Sequence, residues 1–342
     1  MSSTFHKHLG LKIASLACAG LVATFAAGCS EQKFGLGSES QEFGQKVTYN
    51  TEVDVLWVID TSSSMDQHQD LMASQMGAFV SGLNETRLDY HMAVTTMDMG
   101  SSAGAKGKFL AAPGTQPILT NKTSNIVSVL SQRVRAGAAG SSVERGLEAM
   151  KVSLSSPLAG VNGMNAGFLR PNALLVVIFL SNEDDQSSGT ARDYATWLDS
   201  VRPPLPTGER SWLAHFMGVT SGDASCKTSQ WDQAGFSKVG TKFIALAEES
   251  GGSVEPICDA DFRRALLNVK ARILEVMTEY KLDRVPNLTT LTIYVNGAVV
   301  PQNADNGWTY YAPNNSVRFH GTGVPKPDAS IRIAYDPAGM KE

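Results

Sequence analysis

Residues 53–66 read VDVLWVIDTSSSMD. The first seven are apolar except for Asp54, and most of them are β-branched or aromatic. A run this short and this continuous fits a strand covered on both faces, as in a parallel sheet, better than an amphipathic helix. The strand ends abruptly at Asp60, and Thr61, Ser62, Ser63 and Ser64 follow it. Hydroxyls and carboxylates in that position belong to a strand-to-helix loop. Everything else in the chain is read outward from this segment.

Residues 174–180 (LLVVIFL) repeat the buried-strand pattern, and residues 90–96 and 212–219 (WLAHFMGV) are further strand candidates. Helix periodicity fills the intervals. Met72, Met76, Phe79, Val80 and Leu83 fall on one face, as do Ile126, Val127, Leu130 and Val134, and Phe262, Leu266, Val269, Ile273 and Met277. Met72 and Met76 are at core spacing, and His215 lies in an apolar strand as a packed core histidine. The alternation predicts an α/β fold, a doubly wound, mostly parallel sheet with helices on both faces.

Past Asp283 the pattern changes. Residues 290–295 (TLTIYV) run into Asn296-Gly297 and then residues 298–300. Asn-Gly between apolar runs signals a two-residue hairpin. Residues 308–311, 316–319 and 330–335 are more short strands separated by Pro, Gly and Asn. They predict a small C-terminal all-β appendage, near the size at which independent stability becomes marginal.

At the other end, Lys7 and Lys12 precede an uncharged stretch, residues 13–27, that closes as Ala26-Ala27-Gly28-Cys29. A positive flank, a short apolar run and small terminal residues make a secretory signal. The close resembles the bacterial lipobox, with Ala26 where Leu is more usual. That resemblance implies a lipidated Cys29 and a membrane-anchored lipoprotein. With Ser30 next, it also implies the outer membrane, on its periplasmic or cell-surface face. A plain signal peptide or a retained anchor is the other reading. Residues 30–46 are rich in Gly, Ser, Gln and Glu and read as a flexible tether. The expected organisation is therefore a signal over 1–28, lipidated Cys and tether over 29–48, an α/β domain over 49–282 and a β-rich unit over 283–342.

Of four cysteines, Cys18 falls in the signal and Cys29 takes lipid, which leaves Cys226 and Cys258. In an oxidising compartment two remaining cysteines suggest a disulfide, with unpaired thiols or a metal pair as alternatives. The chain has 342 residues, is 42% hydrophobic and 18% charged, and carries a formal charge of −4. That composition excludes wholesale disorder, and it offers no basic field for nucleic acid.

In open parallel sheets ligands bind at the carboxyl ends of strands. Asp60, Ser62 and Ser64 form D-x-S-x-S there, an all-oxygen set of the kind that hard divalent cations take. A helix N-cap is the plainer reading, but it accounts for one of the three residues. Taken with its strand and helix, the motif resembles the metal-ion-dependent adhesion site of von Willebrand factor A domains. The resemblance spans about residues 53–282. It implies Mg²⁺ or Mn²⁺ held by Asp60, Ser62 and Ser64, with Ser141 standing in the second loop where the family carries Thr, beside Ser142. In the third loop Asn182 stands where the family has Asp, followed by Glu183, Asp184 and Asp185 as compensating ligands or as a solvated acidic loop. It further implies a protein or other macromolecular partner whose carboxylate completes the coordination, in an adhesion or assembly role. A metal-independent envelope scaffold is the alternative. No G-x-S-x-G elbow, phosphate loop or H-E-x-x-H motif occurs, and position 62 lacks the second acid of haloacid-dehalogenase-type phosphatases, so no enzyme is expected.

Overall fold

In the computed structural model the residues described are 39–43, 51–86, 88–102, 104–204, 210–222, 238–259, 261–326 and 329–339. The signal, Cys29 and Cys226 lie outside them.

Side chains leave each central strand in two directions, and both directions are buried. In β2 (Glu52–Ile59) Val53, Val55, Trp57 and Ile59 enter one apolar cluster, while Leu56 and Val58 enter another. β5 (Leu174–Ser181) divides the same way, with Leu174, Val176, Ile178 and Leu180 opposite Leu175, Val177 and Phe179. Period-two alternation with both faces apolar is why these segments read as continuous hydrophobic runs. β3 (Asp89–Thr96), β4 (Leu119–Thr120), β6 (Trp212–Gly218) and β7 (Val254–Pro256) complete a sheet in the order β4-β3-β2-β5-β6-β7. Only the β3–β4 pair is antiparallel.

Helices α1 (Asp66–Glu85), α2 (Ile126–Val134) and α6 (Phe262–Met277) cover the first face. Helices α3 (Gly146–Ser153), α4 (Ala191–Val201) and α5 (Thr241–Ser250) cover the second. Trp57 meets Phe79 of α1 edge-on at 5.3 Å between centroids, and Phe243 of α5 stacks on Phe216 at 5.1 Å. Asp54 interrupts the apolar run of β2 without being orphaned, because the backbone N–H and Nε of Arg170 donate to it at 2.7 and 2.8 Å. The doubly wound α/β fold is thus present. The chain winds outward from β2 to β3 on one side and from β5 to β6 and β7 on the other, so the strand order reverses between β2 and β5.

The β unit begins at β8 (Glu279–Lys281), directly after α6 and ahead of the expected boundary at Asp283. β9 (Thr292–Val295) and β10 (Ala298–Val300) form the expected hairpin, with Asn296 and Gly297 both at positive φ, 51° and 81°. β11 (Trp308–Tyr311), β12 (Ser316–Phe319) and β13 (Ile331–Tyr335) follow. With β1 (Glu39–Phe43) they build two antiparallel sheets, β1-β13-β9-β10 and β11-β12-β8, around one cluster that includes Tyr280, Ile293, Trp308, Phe319 and Ile333. Arg318 ties the unit to α6 through Glu275 at 3.7 Å.

β1 (Glu39–Phe43) corrects the tether reading. These five residues pair antiparallel with β13 along its whole length. Strand addition to an edge is driven by backbone hydrogen bonds, which composition does not reveal. No helix among the described residues is long and apolar enough to cross a membrane.

Candidate functional site

The reversal of strand order leaves a crevice at the carboxyl ends of β2 and β5, the place where open α/β sheets bind ligands. The N–H of Asp60 donates to the carbonyl of Leu180 at 3.0 Å, so the two strand ends are held side by side. Asp60 is fully buried. Its Oδ1 accepts from the N–H of Ser62 at 2.7 Å, and its Oδ2 accepts from the hydroxyl of Ser181 at 2.7 Å. The loop then turns, and the Ser62 and Ser64 Oγ atoms lie 3.3 Å apart. Across the crevice Asn182 donates through Nδ2 to Ser64 Oγ at 3.0 Å, with its Oδ1 3.3 Å from the same hydroxyl. Asp60, Ser62, Ser64 and Asn182 are thereby one cluster of oxygen-bearing groups.

The second loop approaches from the side. The N–H of Gly140 donates to the carbonyl of Thr61 at 2.9 Å, and a Cβ at position 140 would stand 2.1 Å from Thr61 Oγ1. Only glycine permits that approach. Ser141 follows, but its hydroxyl accepts from the N–H of Val143 at 2.9 Å, and Ser142 is exposed. Gln69 of α1 clamps the two loops: its side-chain amide Nε2 donates to the carbonyls of Asp60 and Gly137 at 2.8 and 2.9 Å. Its Oε1 accepts from the N–H of Gly137 at 3.1 Å.

The acidic third loop divides by role. Asp184 accepts from the N–H of Lys242 in the first turn of α5, at 2.9 Å. Asp185 accepts from the N–H of Leu147 in the first turn of α3 at 3.0 Å, and from Ser187 through both its N–H and its hydroxyl. These two carboxylates satisfy free N–H groups at helix starts. Glu183 is different. It is buried, and burial together with the neighbouring charge of Asp60 pushes its carboxyl up to about 7, against the opposing pull of Lys238.

Two acids that the motif reading did not single out complete the site. Asp98, two residues past the end of β3, is buried, which alone would raise its pKa. Hydrogen bonds from Ser101, Ser141 and Gly100 hold it below the usual carboxylate range. Its position was foreseeable, since it follows the strand next to β2 at the same edge of the sheet. Glu144 forms an antiparallel bridge with Asp98 and is fully buried. Burial first, then the charges of Asp60, Glu183 and Asp98, push its carboxyl up to about 10. Burial likewise raises Asp60, against the hydrogen bonds from Ser181 and Ser62. Position 144 resembles any acid near a helix start, so sequence gave no signal for it.

Chemically, the cluster is hard: carboxylate, hydroxyl and amide oxygens with no thiol or imidazole among them. Mg²⁺ keeps ligands at roughly 2.0–2.1 Å in an octahedron, which places adjacent ligands about 3 Å apart. The 3.3 Å separation of the two serine Oγ atoms fits that arrangement. Among the described residues no three His, Cys, Asp or Glu side chains form a metal-binding group. A cation here would therefore depend on the hydroxyls as much as on carboxylate. Elsewhere, Cys258 is disulfide-bonded, and His215 is fully buried with Nδ1 accepting from the N–H of Ser253 at 2.9 Å.

No protein-family model matches the chain, and no curated protein matches it. Among solved structures, proximal thread matrix protein 1 from the mussel byssus is similar over 72% of this chain and 52% of its own, at 12% identity and a TM-score of 0.40. The open conformation of the pilus adhesin SpaC from Lactobacillus rhamnosus GG is similar over 85% of this chain and 40% of its own, at 13% identity and a TM-score of 0.40. The chain thus spans about half the length of the first and two fifths of the second.

Proposed function

We propose that the chain is a von Willebrand factor A-type binding protein that takes up a divalent cation, Mg²⁺ or Mn²⁺, at the carboxyl ends of β2 and β5. The observation that carries this reading is the convergence of Asp60, Ser62, Ser64 and Asn182 in the crevice where the strand order reverses. Asp60 supplies charge, and the two serines supply neutral oxygens that leave the cation electron-poor. A carboxylate of a protein or other macromolecular partner then completes the coordination. The lipobox-like close at Cys29 supports a place on the cell envelope, at the outer membrane, in adhesion or in assembly of a larger complex. On this reading the protein binds and does not catalyse.

The test is thermal melting of the full chain in mild detergent, first in EDTA and then in millimolar Mg²⁺ or Mn²⁺, with Asp60→Ala beside it. A cation-dependent rise in Tm that Asp60→Ala abolishes is the expected result. A second reading, a metal-independent envelope scaffold, draws on the hydrogen bond from Asn182 Nδ2 to Ser64 Oγ, which satisfies the serine without a metal. Identical melting curves in EDTA and in cation would favour that reading.

A further inference from the structure

Among the described residues around the crevice, Asp60, Asp98 and Asp185 have hydrogen-bond donors, and Glu144 stands apart from them. Asp60 receives two donors, Asp98 several, and Asp185 three. Glu144 is fully buried, and neither of its Oε atoms accepts a hydrogen bond. The group its carboxyl faces is that of Asp60, and the remaining charges near it, on Glu183 and Asp98, are also negative. Among the described residues, the charges that act most on Glu144 include no Arg or Lys, and Lys238 acts on Glu183 instead.

A buried carboxyl with neither donor nor counter-charge is costly to maintain, and native proteins seldom keep one without an unseen partner. The backbone of this residue is not loosely placed. Its carbonyl accepts from the N–H of Gln186 at 2.6 Å, and its strand bridge to Asp98 fixes its direction. The side chain is therefore held against Asp60 by a well-anchored main chain. What the position lacks is positive charge, and what the D-x-S-x-S site lacks, with Asn182 in the third loop, is a second negative charge.

We infer that Glu144 is the second carboxylate of the cation site, supplying from the β3-side loop the charge that Asn182 does not. The inference rests on the cation reading above and adds a residue to it. It explains why an uncharged amide at position 182 is tolerable, and why an acid is buried three residues beyond Ser141 with no partner of its own. The alternative, a proton held between Glu144 and Asp60, needs no cation.

The experiment is titration of the full chain in detergent with Mn²⁺ and Mg²⁺ by calorimetry, comparing wild type, Glu144→Gln and Glu148→Gln. Glu144→Gln should weaken cation binding at least tenfold while its Tm in EDTA stays level or rises, since a neutral amide of the same size replaces a buried acid that has no donor. Glu148→Gln, on the adjoining helix, should bind as wild type does. Undiminished binding by Glu144→Gln overturns this inference alone, whereas no binding by wild type overturns the cation reading and the inference together. Should Glu144→Gln fail to fold, Mn²⁺-soaked crystals of wild type decide the matter. An anomalous peak bordered by Asp60 and Glu144 supports the assignment, and a peak that Glu144 does not border overturns it.

Discussion

Asn182 occupies the position in the crevice where one atom changes the charge of the whole cluster. Its side chain is fully buried and bonded to Ser64, so replacement by Asp would be nearly isosteric. The substitution removes the Nδ2 donor and adds a carboxylate beside Asp60, Glu144 and Glu183. Ligand charge sets the affinity of oxygen sites for divalent cations. Asn182→Asp is expected to tighten Mn²⁺ binding by about tenfold, roughly 1.4 kcal/mol, while lowering the Tm in EDTA. Calorimetry and melting on the same preparation check both halves, and a Tm that falls without tighter binding would show that the added charge meets no cation. At this scale Asp60, Ser62 and Ser64 were legible because alternating oxygen residues after a buried strand are uncommon. Glu144 was not, because a lone acid near a helix start carries no pattern.

The elements around the site matter through how closely their ends approach. Gly140 lets the second loop lie against Thr61, and a methyl group there would overlap Thr61 Oγ1 at 2.1 Å and Cβ at 2.8 Å. Gly140→Ala should cost about 1–3 kcal/mol, the range for overpacking, and should weaken cation binding by moving the loop that carries Glu144. Urea denaturation in EDTA gives the first quantity and calorimetry the second. Asp184 provides the contrast. It caps α5 through Lys242, so Asp184→Ala should lower stability by about 1 kcal/mol and leave cation affinity within about twofold of wild type. A large loss of affinity would instead place Asp184 in the site. Strands and helices were legible as elements, since periods of two and of 3.6 residues report burial directly. Their ends were less so. Helix α3 begins at Gly146, where Asp185 from a distant loop accepts from the N–H of Leu147, a start that local sequence does not mark. β1 was missed because its pairing with β13 is made by main chain.

Across the whole molecule, the same sheet that aims the cluster also buries a histidine far from it, and this couples stability to pH. His215 is fully buried in β6, on the same side of the strand as Leu213 and Met217 and so on the sheet's first face, and burial, aided by the charge of Arg272 on α6, drives its pKa down to about 3. Unfolded, it titrates near 6.5. The folded pKa lies below the unfolded one, so the unfolded chain binds the extra proton first. The stability that neutral His215 allows is complete above about pH 6.5 and declines as pH falls from there toward 3, by up to about 1.4 kcal/mol per pH unit. His215→Asn keeps an acceptor for the N–H of Ser253 and removes the titration. The difference in unfolding free energy between wild type and His215→Asn, measured by urea at pH 7.5, 5.5 and 4.5 in EDTA, isolates this histidine, because all other groups titrate in both chains. Wild type should lose stability relative to the variant by about 1 kcal/mol between pH 7.5 and 5.5, and by a further 1 kcal/mol or so at pH 4.5. Parallel curves would mean that the β6–α6 layer, from which Arg272 acts on His215, opens enough for the imidazole to protonate in the folded protein.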